Sequence, residues 1–184
     1  MSTNETIDKS AGLILLMLLI IAQGCTNPWS PFMASGSGQD DPLFPDHPDK
    51  VLFNLTLSYR LLDIELYLSC LDSENFIFYF DPQDEGISTY LNNLGIYNYQ
   101  WEYQEEKNST EAIFESMKEI GEVVVPVFFG SEIYYVDSNY AILVRDYSFD
   151  PPVIHGELVR GRAIFYMTKY EQIWKITEWR DMVE

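Results

Sequence analysis

The side chains that could do chemistry are few, and the densest group of them lies between Asp81 and Gly86. Three carboxylates precede Gly86 there, but their spacing fails the alternate-position pattern that encircles calcium, so we expect a solvated turn. His47 and His155 have no cysteine or second histidine at ligand spacing. The sequence contains no glycine-rich phosphate loop and no Gly-x-Ser-x-Gly motif. We therefore expect no metal and no cofactor.

The two cysteines, Cys25 and Cys70, cannot form a disulfide framework that would hold a fold together. Cys70 lies among leucines, where a small buried thiol is the usual outcome. We expect Cys70 to be buried and unreactive.

The charge of the chain limits its partners. It has 29 acidic and 11 basic side chains, a formal net charge of -18, which repels phosphate backbones, so we expect no nucleic-acid partner. Arg160 and Arg162 alternate on one predicted strand face, and Arg145 could join them. In so acidic a chain we expect these arginines to pair with carboxylates on the sheet.

The apolar stretch from Ala11 to Ala22 falls short of the about 20 residues that a helix needs to cross a bilayer. Its length suits the apolar region of an export signal, and Ala22 to Gly24 suit a cleavage site. This stretch could belong to a cleaved secretory signal or to an uncleaved anchor.

The tract Ile21-Ala22-Gln23-Gly24-Cys25 resembles the lipobox of bacterial lipoproteins, in which a small residue precedes an invariant cysteine. The resemblance implies that residues 1–24 are removed and that Cys25 is lipidated. The membrane, reached through that lipid, would then be a partner, and the protein would lie in the bacterial cell envelope, on the periplasmic or the cell-surface side. Residues 25–47, rich in Pro, Gly and Ser, are expected to form a tether. Residues 48–184 would form the folded domain.

The first half of that domain predicts two helices and a strand. Pro48 and the apolar rhythm after it predict a helix that breaks near Asp63 and resumes until Asp72-Ser73. The aromatic run from Phe76 to Phe80 predicts a strand. We expect the segment from Gln83 to Glu106 to be irregular.

A further helix and a series of strands follow. Asn108 could cap a helix that Gly121 ends, although the helix could also begin near Glu102. Its expected buried stripe is Ile113, Phe114, Met117 and Ile120. Strands are predicted from Glu122 to Phe129, Ile133 to Val136, Tyr140 to Phe149, Glu157 to Lys169 and Ile173 to Arg180. This order predicts an α+β fold in which a curved antiparallel sheet wraps around N-terminal helices.

Three segments carry a resemblance to a known family: "LLDIELYLSCLDSENFIFYFDP" from Leu61 to Pro82, "GRAIFYM" from Gly161 to Met167, and "IWKITEWRD" from Ile173 to Asp181. They are similar to the nuclear transport factor 2-like, or cystatin-like, superfamily, which includes SnoaL-like polyketide cyclases and ketosteroid isomerases. The resemblance implies a cone-shaped roll with a pocket between sheet and helices. The sheet would also offer a surface for a homodimer.

The resemblance leaves two hypotheses for the function. The first is a non-catalytic, membrane-anchored domain that binds a small apolar ligand or a protein partner on its aromatic concave face. The second is an isomerase, dehydratase or polyketide cyclase in which Asp81 is the general base and Tyr79 or Tyr99 donates a hydrogen bond. An apolar pocket would raise the pKa of Asp81 and suit it to proton transfer. An Asp before Pro is also a common turn former, so a structural role for Asp81 is the alternative.

Overall fold

Two helices separated by a tight turn begin the described part of the chain. The computed structural model describes residues 41–93, 95–154 and 157–182. Helix α1 (Pro48–Leu61) has its proline in the first turn and ends where Leu62 adopts a left-handed conformation, with φ of 52°. Helix α2 (Ile64–Ser69) begins at Asp63, whose Oδ1 accepts a hydrogen bond from the N–H of Leu66 at 3.0 Å. The break predicted near Asp63 is confirmed, but α2 ends three residues earlier than expected.

The segment after α2 is more regular than the sequence predicts. Strand β1 (Ile77–Tyr79) lies within the expected aromatic run. Helix α3 (Glu85–Asn93) and strand β2 (Gln100–Glu102) follow it, so the prediction of an irregular segment was wrong. Asp84 begins α3 by accepting a hydrogen bond from the N–H of Ile87 at 2.9 Å. Strand β2 has only three residues, which are too few to show the two-residue alternation of a strand in the sequence. Its pairing with β1 is what defines it as a strand.

Helix α4 (Tyr103–Ile120) begins at the earlier of the two expected positions. Glu102 and Glu105 form a reciprocal capping box at its start, and Gly121 ends it with φ of 71°. Two residues of the expected buried stripe, Phe114 and Met117, are buried as predicted. Ile113 and Ile120 are 40% and 62% exposed, so their predicted burial was wrong. The residues that α4 buries are Glu106, Thr110, Phe114 and Met117.

Four long strands complete the chain. They are β3 (Val125–Tyr135), β4 (Tyr140–Ile154), β5 (Glu157–Tyr170) and β6 (Ile173–Met182). Two predicted strands are merged in β3, whose register shifts between Phe129 and Glu132, where Gly130 has a φ of 92°. The six strands have the order β2-β1-β6-β5-β4-β3, and every pair is antiparallel except β1 with β6. The predicted α+β class with a curved, mainly antiparallel sheet and helices is confirmed.

The core lies between the helices and one face of the sheet, which we call the inner face. Helix residues such as Leu55, Tyr67 and Phe114 join the inner-face residues Leu143 and Phe165 in one buried cluster. Burial of this apolar surface is the main source of stability.

Cys70 belongs to the same buried cluster. Its side chain is 3% exposed, and burial raises the pKa of its thiol to about 12. The expectation of a buried Cys70 is confirmed. No helix among the described residues is both long enough and apolar enough to cross a membrane.

Candidate functional site

Inward-facing aromatic side chains from five strands form one continuous patch. Register places Phe78 beside Trp179, Trp179 beside Phe165, and Phe128 beside Tyr147. The ring centroids of Trp179 lie 5.2 Å from Phe78, 4.8 Å from Phe165 and 6.3 Å from Phe128. We call Phe78, Phe128, Tyr147, Phe165 and Trp179 the inner aromatic patch. Close tilted and edge-on rings of this kind stabilise one another beyond simple burial.

The inner aromatic patch is only partly closed off from solvent. Phe165 is fully buried, whereas Phe78, Phe128, Tyr147 and Trp179 remain partly exposed. The indole Nε1 of Trp179 is buried, yet it has no hydrogen-bond partner among the described residues. A buried donor without an acceptor costs about 1–3 kcal/mol, so an acceptor atom that reached this N–H would remove that cost.

The phenol of Tyr147, a member of the inner aromatic patch, is hydrogen-bonded to the carboxyl of Asp181 at the edge of the patch. The hydroxyl of Tyr147 donates to Oδ1 of Asp181 at 2.7 Å. Tyr147 on β4 and Asp181 on β6 are separated by β5, and Gly161 is the β5 residue that pairs with Tyr147. A Cβ atom at position 161 would lie 2.8 Å from the phenol oxygen of Tyr147. Gly161 is therefore what lets the Tyr147 ring lie across β5 and reach Asp181.

The surroundings of Asp181 favour its protonated form. Burial is the main cause that raises the pKa of this carboxyl, and the negative charges of Asp84 and Asp81 raise it further. The hydrogen bond from Tyr147 lowers it, but less than burial raises it. Burial and the charge of Asp181 in turn raise the pKa of Tyr147, so the phenol stays a donor. Tyr147 and Asp181 can therefore hold a proton and offer a hydrogen-bonding group next to the apolar rings of the inner aromatic patch.

The structure does not bring the three residues proposed for proton transfer together at this site. Oδ1 of Asp81 accepts a hydrogen bond from the N–H of Gln83 at 2.8 Å within a turn. Its charge reaches Asp181, so the turn borders the Tyr147–Asp181 pair. The Tyr79 ring lies 5.2 Å from the guanidinium of Arg180, on the opposite face of the sheet. Tyr99 has a left-handed backbone, and its carbonyl accepts from the N–H of Phe80.

Asp181 and Tyr147 were not selected from the sequence. Strand alternation in "EWRD" gives Trp179 and Asp181 the same face, which was an available signal. The contact with Tyr147 depends on strands 34 residues apart in the chain, so sequence spacing could not show it.

A second buried acid lies deeper, between the helices. Glu106 is 6% exposed and accepts hydrogen bonds from the hydroxyls of Tyr67 and Thr110. Burial raises the pKa of Glu106 more than these two hydrogen bonds lower it. Its burial and its hydrogen bonds from Tyr67 and Thr110 favour a structural role.

The arginines divide between the two faces of the sheet. Arg162 pairs with Asp146 at 2.7 Å on the outer face, which confirms its expected pairing with a carboxylate. Arg145 lies on the inner face, 3% exposed, and pairs with Asp49 of α1 at 2.7 Å. The idea that Arg145 joins the other arginines on one face was wrong, because it pairs in register with the inward Ala163.

Two surface clefts, of about 500 and 290 Å³, flank the segment from Ser73 to Asn75. Neither is lined by Tyr147, Trp179 or Asp181. Within the described ranges, no group of three or more His, Cys, Asp or Glu side chains could hold a metal ion. Cys25 and His155, which the sequence singled out, lie outside the described residues.

The chain matches no protein-family model, and it matches no curated protein. Its fold is similar to that of a Xanthomonas campestris protein, named as a candidate calcium/calmodulin-dependent protein kinase II association domain. The two are 11% identical, the TM-score is 0.50, and the match covers 74% of this chain and 84% of the other.

Two further solved structures are similar at lower TM-scores. One is a Nostoc punctiforme protein of unknown function with a cystatin-like fold (12% identity, TM-score 0.48, 74% of this chain and 87% of the other). The other is a nuclear transport factor 2-like protein of unknown function from Shewanella oneidensis (16% identity, TM-score 0.45, 72% and 93%). At such identities the likeness concerns the fold alone.

Proposed function

We propose that the protein is a non-catalytic binding domain, anchored to the cell envelope by lipid on Cys25, that takes a small apolar ligand on the inner aromatic patch. The observation that carries the proposal is the partly exposed patch with the buried, unpartnered N–H of Trp179 at its centre. An apolar molecule would gain contact with the rings, and an acceptor atom on it would satisfy that N–H. The Tyr147–Asp181 pair would provide a second polar contact at the edge of the patch.

Nile red tests the ligand proposal, because it is a neutral aromatic dye with a carbonyl acceptor. Its fluorescence should rise and saturate as the protein is added. Trp179→Phe keeps a ring but removes the N–H, so binding should weaken about 3- to 10-fold, the effect of one hydrogen bond. Tyr134→Phe, on the outer face, is the matched control and should leave binding unchanged. Equal affinity of wild type and Trp179→Phe would remove the proposed contact.

The lipid anchor is an independent part of the proposal, and it is supported by the lipobox-like tract that ends in Cys25. One lipid chain holds a protein on a membrane only weakly, whereas two or more hold it firmly. Mass spectrometry of protein recovered from bacterial membranes should show a chain that begins at an acylated Cys25. A recovered chain with Met1 intact and an unmodified Cys25 would end this part without affecting the ligand proposal.

One observation favours a second candidate function, a pocket enzyme of the isomerase, dehydratase or polyketide-cyclase type. The raised pKa of Asp181 and its phenol partner are features that a general base beside an apolar surface would have. Asp181 is then better placed than Asp81 to transfer the proton, and Tyr147 is better placed than Tyr79 or Tyr99 to donate. Acetophenone in deuterated buffer tests this candidate. An enzyme should exchange the ketone's methyl protons, and Asp181→Asn should abolish the exchange. Exchange no faster than in buffer would support the non-catalytic proposal.

A further inference from the structure

The inner aromatic patch ends beside a group of carboxyl side chains. Asp181 lies at the edge of the patch, where its Oδ1 accepts the hydrogen bond from Tyr147. The negative charges of Asp84 and Asp81 act on Asp181, and the charge of Asp84 also acts on Tyr147. All three carboxyl groups are partly buried, so water screens their charges less than it screens those of fully exposed side chains. This edge of the patch therefore has a negative potential.

The arginines next to Asp181 in the sheet are turned away from this edge. Arg180 precedes Asp181 on β6, but it lies on the outer face and pairs there with Glu178. Arg162 of β5 also lies on the outer face, paired with Asp146. Neither of these two cations faces the carboxyl groups at the edge of the patch, so the inner side leaves room for the positive charge of a ligand.

Aromatic rings that end beside carboxyl groups suit an organic ammonium ion. The face of a ring attracts a cation that lies within about 6 Å of its centre, and tryptophan and tyrosine do so more strongly than phenylalanine. Trp179 and Tyr147 are both partly exposed members of the patch. A metal ion fits less well, because in the described part of the chain no three acidic, His or Cys side chains are placed to hold one. The net charge of -18 would also attract cationic ligands over a longer range.

We propose that the ligand of the inner aromatic patch is an organic amine, whose apolar body lies on the rings and whose ammonium group pairs with Asp181 at the edge. This inference rests on the proposed binding function and adds the chemical class of the ligand. The ammonium group would favour the ionised carboxyl of Asp181, and a proton held there in the free protein would pass to the solvent as the ligand binds.

Three naphthalenes of similar size test the charge preference by displacement of Nile red. At pH 7, 2-naphthylmethylamine is a cation, 2-naphthalenemethanol is neutral and 2-naphthoate is an anion. In low salt the amine should bind about 10-fold more tightly than the alcohol, and the carboxylate should bind most weakly. The alcohol has an oxygen acceptor for the N–H of Trp179 that the ammonium group lacks, so a preference for the amine would arise from its charge. Added salt should reduce the preference.

The same titrations separate this inference from the binding function on which it rests. Binding of Nile red and of the alcohol, with no advantage for the amine, would overturn the inference and leave the binding function intact. Failure of Nile red and of all three naphthalenes to bind would reject the binding function itself, and the inference with it.

Charge-removing variants locate the preference at the edge of the patch. Asp181→Asn should reduce the advantage of the amine over the alcohol at least about 3-fold. Asp84→Asn should also reduce it, and since asparagine caps a helix as well as aspartate does, this variant keeps the start of α3. Asp137→Asn is the matched control, because Asp137 likewise accepts a backbone N–H but lies in the turn before β4, about 20 Å along that strand from Tyr147. An unchanged advantage in both Asp181→Asn and Asp84→Asn, with wild-type circular dichroism spectra, would exclude this site for the ammonium group.

Discussion

Replacing Gly161 with alanine should separate Tyr147 from Asp181 without disturbing the sheet. A Cβ at position 161 would lie 2.8 Å from the phenol oxygen and 2.9 Å from two ring carbons of Tyr147, whereas ordinary contacts begin near 3.4 Å. The end of the ring must therefore move by about 0.6 Å. The ring can do so by rotating, since these atoms are the far end of a flexible side chain. The 2.7 Å hydrogen bond to Asp181 is then lost or much weakened.

The size of the effect follows from two opposing terms. Loss of a hydrogen bond to a carboxyl destabilises the fold by about 1–2 kcal/mol. Replacing a glycine with alanine in the unfolded chain restores about 0.4–1 kcal/mol. The net loss in the free energy of unfolding should be at most about 1.6 kcal/mol at pH 7, measured by urea denaturation. It should shrink in acid, where Asp181 is protonated in the folded and the unfolded state alike.

The pKa of Asp181 gives the sharper assay. Because the Tyr147 hydrogen bond lowers this pKa, Gly161→Ala should raise it further above its ordinary value, and Tyr147→Phe should do the same. In the Tyr147→Phe background, Gly161→Ala should have no further effect, because the bond is already absent. Carbon-13 NMR titration of the carboxyl measures each value. An unchanged Asp181 pKa in Gly161→Ala would refute the account of how Gly161 positions the pair.

Three further predictions concern groups elsewhere in the domain. Burial raises the pKa of Glu106 above its unfolded value, so the unfavourable effect of its charge on stability develops as pH rises from about 4.5 toward the folded pKa. Glu106→Gln should therefore stabilise the fold by about 1 kcal/mol in urea denaturation at pH 7, and not at pH 3. Equal gains at both pH values would contradict this. Asp49→Asn should lower the free energy of unfolding by about 1–2 kcal/mol, because it leaves the buried guanidinium of Arg145 without its carboxylate. The exposed-pair control Asp46→Asn should lower it much less. Equal losses in the two variants would show that burial of Arg145 does not make its ion pair more important for stability. In native protein the buried thiol of Cys70 should react with Ellman's reagent only as fast as the domain opens, and rapid labelling before unfolding would show that it is accessible.

The sequence predicted those parts of the fold that carry local signals. Pro48 at a helix start, Asp63 at a helix break and Gly121 at a helix end each act through the backbone of their own neighbours, so their effects can be read without the tertiary structure. Strand β2 had no such signal, because its three residues become a strand only by pairing with β1.

The candidate site depended on longer-range relations. Glu106 was missed because a helical glutamate is normally exposed, and its burial and its hydrogen bond from Tyr67 arise only in the tertiary structure. Asp181 and Tyr147 were missed because β5 separates their strands, and a glycine on that strand decides whether they meet.

The indole N–H resonance of Trp179 tests the central claim most directly, namely that the inner aromatic patch binds a small apolar ligand. It can be assigned by its absence from the spectrum of Trp179→Phe. Titration with Nile red should move this resonance downfield, because the N–H gains an acceptor, and the shift should saturate at the same concentration as the dye's fluorescence. A Trp179 resonance that stays in place while the dye binds would show that the ligand lies elsewhere, and the account of the site would be wrong.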